Sequence, residues 1–276
     1  MKDFIYLVQG KSELIRNYFH LLGNPNSEVI FLTYDRPIEE AIFFPNSTWA
    51  QGRNKLLEAA LSKGDYLYYI FCDDDIRFIR GNWDTFEKQL LTYKPAIAVP
   101  INPKTIRTPF KGLQYQSFLT NDEQLMAFHK DVVRDFILLP YQEKFDSIYW
   151  WAACQIQEML IQNFYYSGAI QFNNVCISND AGENYVRPES ESDYKKLSKL
   201  VDDWLSEQFL SKYKDMPSPK RRPIFILTRT FSYYFHRFLS TPKYSVSVNT
   251  LKELLSTDSE LYKQAIGLRQ KFEHLK

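Results

Sequence analysis

The sequence predicts an α/β fold built on a mostly parallel sheet, and three observations predict it. Asp3–Val8 (DFIYLV) and Glu28–Thr33 (EVIFLT) are short apolar runs flanking a helix-patterned stretch. A strand, helix and strand within about 35 residues form a parallel, right-handed βαβ unit. Tyr66–Cys72 (YLYYIFC) has almost no polarity, which marks a strand buried on both faces. That run stops on three carboxylates, Asp73, Asp74 and Asp75, and strand tips in open α/β sheets are where ligands bind.

Taken in order, the first strand ends at Gln9-Gly10, and Ser12 is placed to cap a helix over Glu13–Leu22. This first turn, Val8-Gln9-Gly10-Lys11-Ser12, carries neither the dinucleotide-binding glycine pattern nor the P-loop pattern. The second strand ends at Tyr34-Asp35. Thr48 with Gln51 makes a capping box at the start of a helix reaching Lys63, with Trp49, Arg53, Leu56, Leu57, Ala60 and Leu61 on one face. An arginine on that inward face has two readings. It contacts a phosphate near a helix N-terminus, or it pairs with an aspartate of the neighbouring strand.

After the aspartates, Asn82 caps a helix over Trp83–Tyr93, and Ala96–Val99 is a short strand. A proline-containing loop follows with Lys104, Arg107 and Lys111. Gln124–His129 reads as a strand, and Asp131 caps a helix over Val132–Leu139 that Pro140 stops. Asp146 or Ser147 caps a further helix from near Ile148, with Trp150 and Trp151 in its first turn; one of the two enters the core and the other is free to stack on a sugar ring. Ala169–Ile177 returns as a strand ending at Ser178-Asn179-Asp180. From about residue 189 the chain reads as a helical extension, giving two units, 1–188 and 189–276. Within it, Pro223–Leu239 mixes Arg229, His236 and Arg237 with aromatics, either as a helix closing over the core or as a peripheral membrane surface.

Composition narrows the function classes. A net charge of +1 gives no case for nucleic acid as a partner. Cys72, Cys154 and Cys176 have no paired spacing, which argues against a disulfide scaffold or a structural zinc site. No charged-then-apolar leader follows Met1 and no long apolar run occurs, so a cytoplasmic setting is the expectation.

Three adjacent carboxylates repel one another. A hard divalent cation, Mn²⁺ or Mg²⁺, relieves that cost because it takes oxygen ligands. The competing reading is a solvated acidic turn or a helix-capping cluster.

The order of Gly52-Arg53-Asn54, then YIFCDDDI, then MAFHKDVV and FDSIYWWAACQ resembles the GT-A fold glycosyltransferases that use nucleotide-sugar donors. The resemblance covers roughly Asp3–Arg187 in motif order. It implies a Rossmann-like, mixed but mostly parallel sheet flanked by helices. It implies transfer of a sugar from a UDP- or GDP-sugar to a glycan or lipid-linked acceptor. Asp73 and Asp75 would be the Asp-x-Asp carboxylates, with Asp75 on the metal and Asp73 on the ribose or a metal-bound water. Asp74 would contact the donor sugar. Arg53 and Asn54 would hold the nucleotide end, and Asp146 would lie where inverting members keep a general base. Many members place a histidine ligand after the last core strand. Here that position reads Ser178-Asn179-Asp180, so Asn179 or Asp180 would be the third ligand. The family's Glu-Asp pair is also broken, since Phe145 precedes Asp146. The alternatives are a metal-dependent nucleotidyltransferase or phosphohydrolase, and a non-catalytic sugar-binding module on the same scaffold.

Overall fold

The structure, a computed structural model, describes residues 2–103, 114–117, 123–149, 151–165, 168–179, 191–214 and 244–273. Its centre is a nine-stranded sheet. The strands are β1 (Phe4–Gly10), β2 (Ser27–Thr33), β3 (Ala41–Phe43), β4 (Tyr68–Asp73), β5 (Ile76–Arg80), β6 (Ile97–Ile101), β7 (Tyr115–Ser117), β8 (Leu125–His129) and β9 (Ala169–Asn179). They lie in the order β3-β2-β1-β4-β8-β6-β9-β5, with β7 also on β9. β1, β2, β3, β4, β6 and β9 run one way, and β5, β7 and β8 run against them. The sheet is therefore mixed and mostly parallel, in a Rossmann-like α/β fold.

Alternation along the central strands feeds two cores. Ile5, Leu7, Tyr69 and Phe71 face one layer, and Phe4, Tyr6, Val8, Tyr68, Ile70 and Cys72 face the other. Both faces are covered, which is why these strands lack polar residues. The first layer holds α1 (Trp49–Lys63), α3 (Lys130–Asp135), α4 (Ala152–Phe164), α5 (Glu191–Gln208), α6 (Val248–Leu254) and α7 (Glu260–Lys271). The second holds a 3₁₀ helix (Ile15–Leu21) and α2 (Trp83–Tyr93). Arg269 of α7 donates to the Asp135 and Val246 carbonyls, at 3.0 and 2.6 Å, and so ties α7 to the end of α3. The boundary expected near residue 188 lies outside the described residues, as do Trp150, Asp180, the loop cations Lys104, Arg107 and Lys111, and the basic-aromatic stretch 223–239. Among the described residues no helix is long and apolar enough to cross a membrane.

Local expectations met three corrections. Ser12 caps no helix; its amide and hydroxyl both donate to Asp35, at 2.9 and 2.8 Å, and the segment winds as a 3₁₀ helix from Ile15. α3 is capped by His129 rather than Asp131, and it ends where Phe136 turns left-handed at φ 54°. α4 begins at Ala152, because residues 145–149 close as turns and Asp146 accepts from Thr48 instead of capping. By contrast, both bonds of the Thr48–Gln51 capping box form, and Asn82 caps α2 through the Thr85 amide.

Candidate functional site

Strand order locates the site. From β1 the chain moves outward to β2 and β3, then crosses back to β4 on the other side of β1. Such a reversal opens a crevice at the carboxyl ends of the two diverging strands, where open α/β sheets bind ligands. Gln9 pairs with Asp73 across β1–β4, and Gly10 pairs with Thr33 across β1–β2. Gly10-Lys11, Asp73-Asp74-Asp75 and Tyr34-Asp35 therefore share one edge. In the β5–β9 register Asn179 lies opposite Ile76, so the polar end of β9 also arrives one residue past Asp75.

The aspartate turn is held from several sides. Tyr18 donates its hydroxyl to the Asp73 and Ile76 carbonyls, at 3.0 and 3.3 Å. The Lys11 amide donates to Asp74 Oδ2 at 2.5 Å. Asp74 packs directly on Gly10, where any added methyl would overlap its side chain. Gly10→Ala is thus expected to displace the turn and lower stability by about 1–3 kcal/mol, the usual cost of overpacking. Urea denaturation measures that loss; an unchanged midpoint would contradict the close approach.

Each residue of Gly52-Arg53-Asn54 has an internal partner. Gly52 leaves room for the Gln9 side chain against α1. Arg53 is fully buried, and its Nη2 donates to Asp73 Oδ1 and to the Glu123 carbonyl. The guanidinium lies over the Trp49 and Phe71 rings, at 4.9 and 5.5 Å. Asn54 accepts from the Tyr141 amide at 2.7 Å and donates to the Tyr141 carbonyl and Glu143, at 2.9 and 2.7 Å. The structure thus places Arg53 beneath Asp73, and Asn54 beside the loop that carries Asp146. The reading in which the arginine pairs with an aspartate of the next strand is the one observed. Trp49 also donates to Asp73 Oδ1, at 3.4 Å.

Burial pushes Asp73 up to about 7 against the pull of Arg53, and Asp75 and Asp74 push the same way. Burial likewise pushes Asp74 up to about 6, with the Lys11 amide opposing and Asp75 adding. An unfolded aspartate ionises near 3.8, so between there and pH 6–7 the folded chain keeps protons that the unfolded chain has released. Stability therefore falls as pH rises through that window. Metal-free protein compared by denaturation at about pH 5 and pH 8 tests this, and Asp74→Asn should flatten the dependence. An identical slope in that variant would contradict the assignment.

The turn gathers three carboxylates, which suits a divalent cation in donor type. Among the described residues no three His, Cys, Asp or Glu side chains converge on a common metal position. Magnesium-type ions commonly take one or two carboxylates and complete their shell with substrate phosphates and water. Asp73 and Asp75, the latter at 9% exposure, are carboxylates of that type.

Asp146 lies at the other side of the α1 N-terminus. Its Oδ2 accepts from the Thr48 hydroxyl, while its Oδ1 is shielded and accepts from no group among the described residues. Burial raises its pKa, Thr48 opposes the rise, and Glu143 adds to it.

Two crevice residues were not singled out from the sequence. Tyr34, 38% exposed, has its hydroxyl raised to about 12, mainly by burial and then by the charges of Asp74, Asp35, Asp73 and Asp75. Asp35 is fixed by Ser12, which in turn accepts from Arg36 at 2.5 Å. Their position immediately after β2, next to β1, was the available signal. Two hollows of about 670 and 450 Å³ border α7 elsewhere in the molecule, and neither is lined by Asp73, Asp74 or Asp75.

No family model matches the chain, and no curated protein sequence matches it. Among solved structures, residues 1–349 of S. aureus TarS align at a TM-score of 0.48 and 14% identity, covering 100% of this chain and 83% of that one. The same protein in complex with UDP-GlcNAc aligns at 0.49 and 12% identity, covering 99% and 89%. A197 from STIV aligns at 0.32 and 12% identity, covering 48% and 67%. Likenesses of this strength carry no functional argument.

Proposed function

We propose that this protein is a glycosyltransferase that moves a sugar from a nucleoside-diphosphate donor to an acceptor hydroxyl, with a divalent cation at Asp73 and Asp75. The observation that carries the reading is the Asp73-Asp74-Asp75 turn at the sheet's reversal point, braced by a buried arginine. Three carboxylates in one turn are the donor type that a hard divalent cation takes. A cation bound there, Mn²⁺ or Mg²⁺, neutralises charge on the departing diphosphate as a Lewis acid.

The chain's own residues supply position. Arg53 and Trp49 hold Asp73 by one oxygen. Lys11 and Gly10 seat Asp74, which in this reading faces the donor sugar. Tyr34 offers an exposed ring on the β2 side of the crevice. Asp146 takes the acceptor's proton, a task that favours a carboxylate with a raised pKa. Asp180 is the third ligand in this reading, following the end of β9. The acceptor is a glycan or lipid-linked hydroxyl.

Calorimetry of UDP and GDP with and without Mn²⁺ tests the donor site. Cation-dependent binding of one nucleotide is the expected result. Binding of neither, under both conditions, would sink the reading and favour a sugar-binding module.

A further inference from the structure

Helix α1 grips both parts of the candidate site. Trp49 and Arg53 hold Asp73, Asn54 holds the Tyr141 backbone, and Thr48 holds Asp146. We infer that Thr48 is a positioning residue for the transfer: its hydroxyl binds Asp146 Oδ2 and so fixes the orientation of the carboxylate that receives the acceptor's proton. This rests on the proposed role of Asp146 as base.

The threonine hydroxyl has one proton and no freedom to spend it elsewhere. Its oxygen accepts the Gln51 amide at 3.2 Å as the cap of α1, and the Thr48 amide is held by the Gln51 side chain at 3.0 Å. A β-branched residue is also stiff at χ1. With the cap fixing the lone pair, the proton points to Asp146 Oδ2. The loop is held on its other side by Asn54, which binds Glu143 and the Tyr141 amide. In the step this serves, the acceptor hydroxyl gives its proton to the Asp146 carboxylate as its oxygen bonds the anomeric carbon. The bond from that carbon to the diphosphate oxygen breaks, and its electron pair leaves with the diphosphate. Among the described residues, the charged group facing Asp146 is Glu143 of the same loop, and from α1 it meets the neutral Thr48.

The test compares Thr48→Val, Thr48→Ser and Asp146→Asn in the full chain. Nucleotide release from UDP-N-acetylglucosamine, UDP-glucose and GDP-mannose is followed across about pH 5–9, alongside thermal unfolding and nucleotide calorimetry. Should the valine variant fail to fold, Thr48→Gly replaces it, since glycine is tolerated at an N-cap and lacks the hydroxyl. Thr48→Val is expected to lower kcat about 10–100-fold with donor KM within about twofold, the pattern of a group acting on the reacting step. Its acid limb should move to higher pH, because the hydrogen bond that favours the ionised carboxylate is gone. Thr48→Ser, which keeps the donor, should restore most of the rate.

A wild-type rate and pH profile in Thr48→Val, or a serine variant as impaired as the valine one, would overturn the inference while Asp146→Asn stays inactive. If Asp146→Asn keeps wild-type turnover, or the wild type releases nucleotide from none of the three donors, the underlying reading falls, and this role with it.

Discussion

Asp75→Ala is expected to abolish cation-dependent nucleotide binding while leaving the fold in place. Asp75 lies two residues past the end of β4, and its side chain is part of neither apolar core. Removing it deletes one of the two carboxylates assigned to the cation. The loss should reach at least about a hundredfold in affinity for the Mn²⁺–nucleotide pair, the order that one charged contact carries. Affinity for nucleotide without Mn²⁺ should change little. Calorimetry on wild type and variant reads both quantities, and thermal unfolding confirms that the variant folds. Equal Mn²⁺-dependent affinity in the two proteins would remove Asp75 from the site.

Arg53→Met carries the largest expected loss of stability, about 3–5 kcal/mol, because it leaves Asp73, whose side chain is 13% exposed, without its fully buried cation. Methionine fills much of the volume between Trp49 and Phe71 but supplies no donor to Asp73 or to the Glu123 carbonyl. The burial that already raises Asp73 then acts without the opposing guanidinium. The penalty should be greatest above pH 7 and shrink as the carboxyl takes up a proton. Pairing the change with Asp73→Leu should recover part of the loss, since a buried ion pair replaced whole by apolar groups is often nearly neutral. Guanidinium denaturation at two pH values measures all of this. A uniform loss of under about 1 kcal/mol would mean that the pair behaves as a surface salt bridge.

How much was legible in the sequence depends on how local each signal is. The α1 capping box was legible because its two bonds join residues three apart. The Asn82 cap was legible for the same reason. The buried strand ending on three aspartates was legible because a two-sided strand must be apolar throughout. β5 was not, since its IRFIR run is short and largely exposed, and its pairing is with distant β9.

The partners of the site residues were legible only as alternatives. Arg53 reaches Asp73 across 20 positions, Asn54 reaches Tyr141 across 87, and Thr48 reaches Asp146 across 98. Asp146 shows the conflict plainly. An aspartate before an apolar run reads as a helix cap, yet a hydroxyl brought in by a remote helix outcompetes the local amides. Tyr34 and Asp35 carry no local mark of a site, because their importance lies in strand order, which places the end of β2 beside the end of β1.

The most direct measurement is release of nucleoside diphosphate from UDP- and GDP-sugars by wild-type protein, with and without Mn²⁺, beside Asp146→Asn. The account predicts release from donors of one nucleotide class, dependent on the cation, and lost in the variant. Release from none of them, or release indifferent to both cation and Asp146, would contradict it.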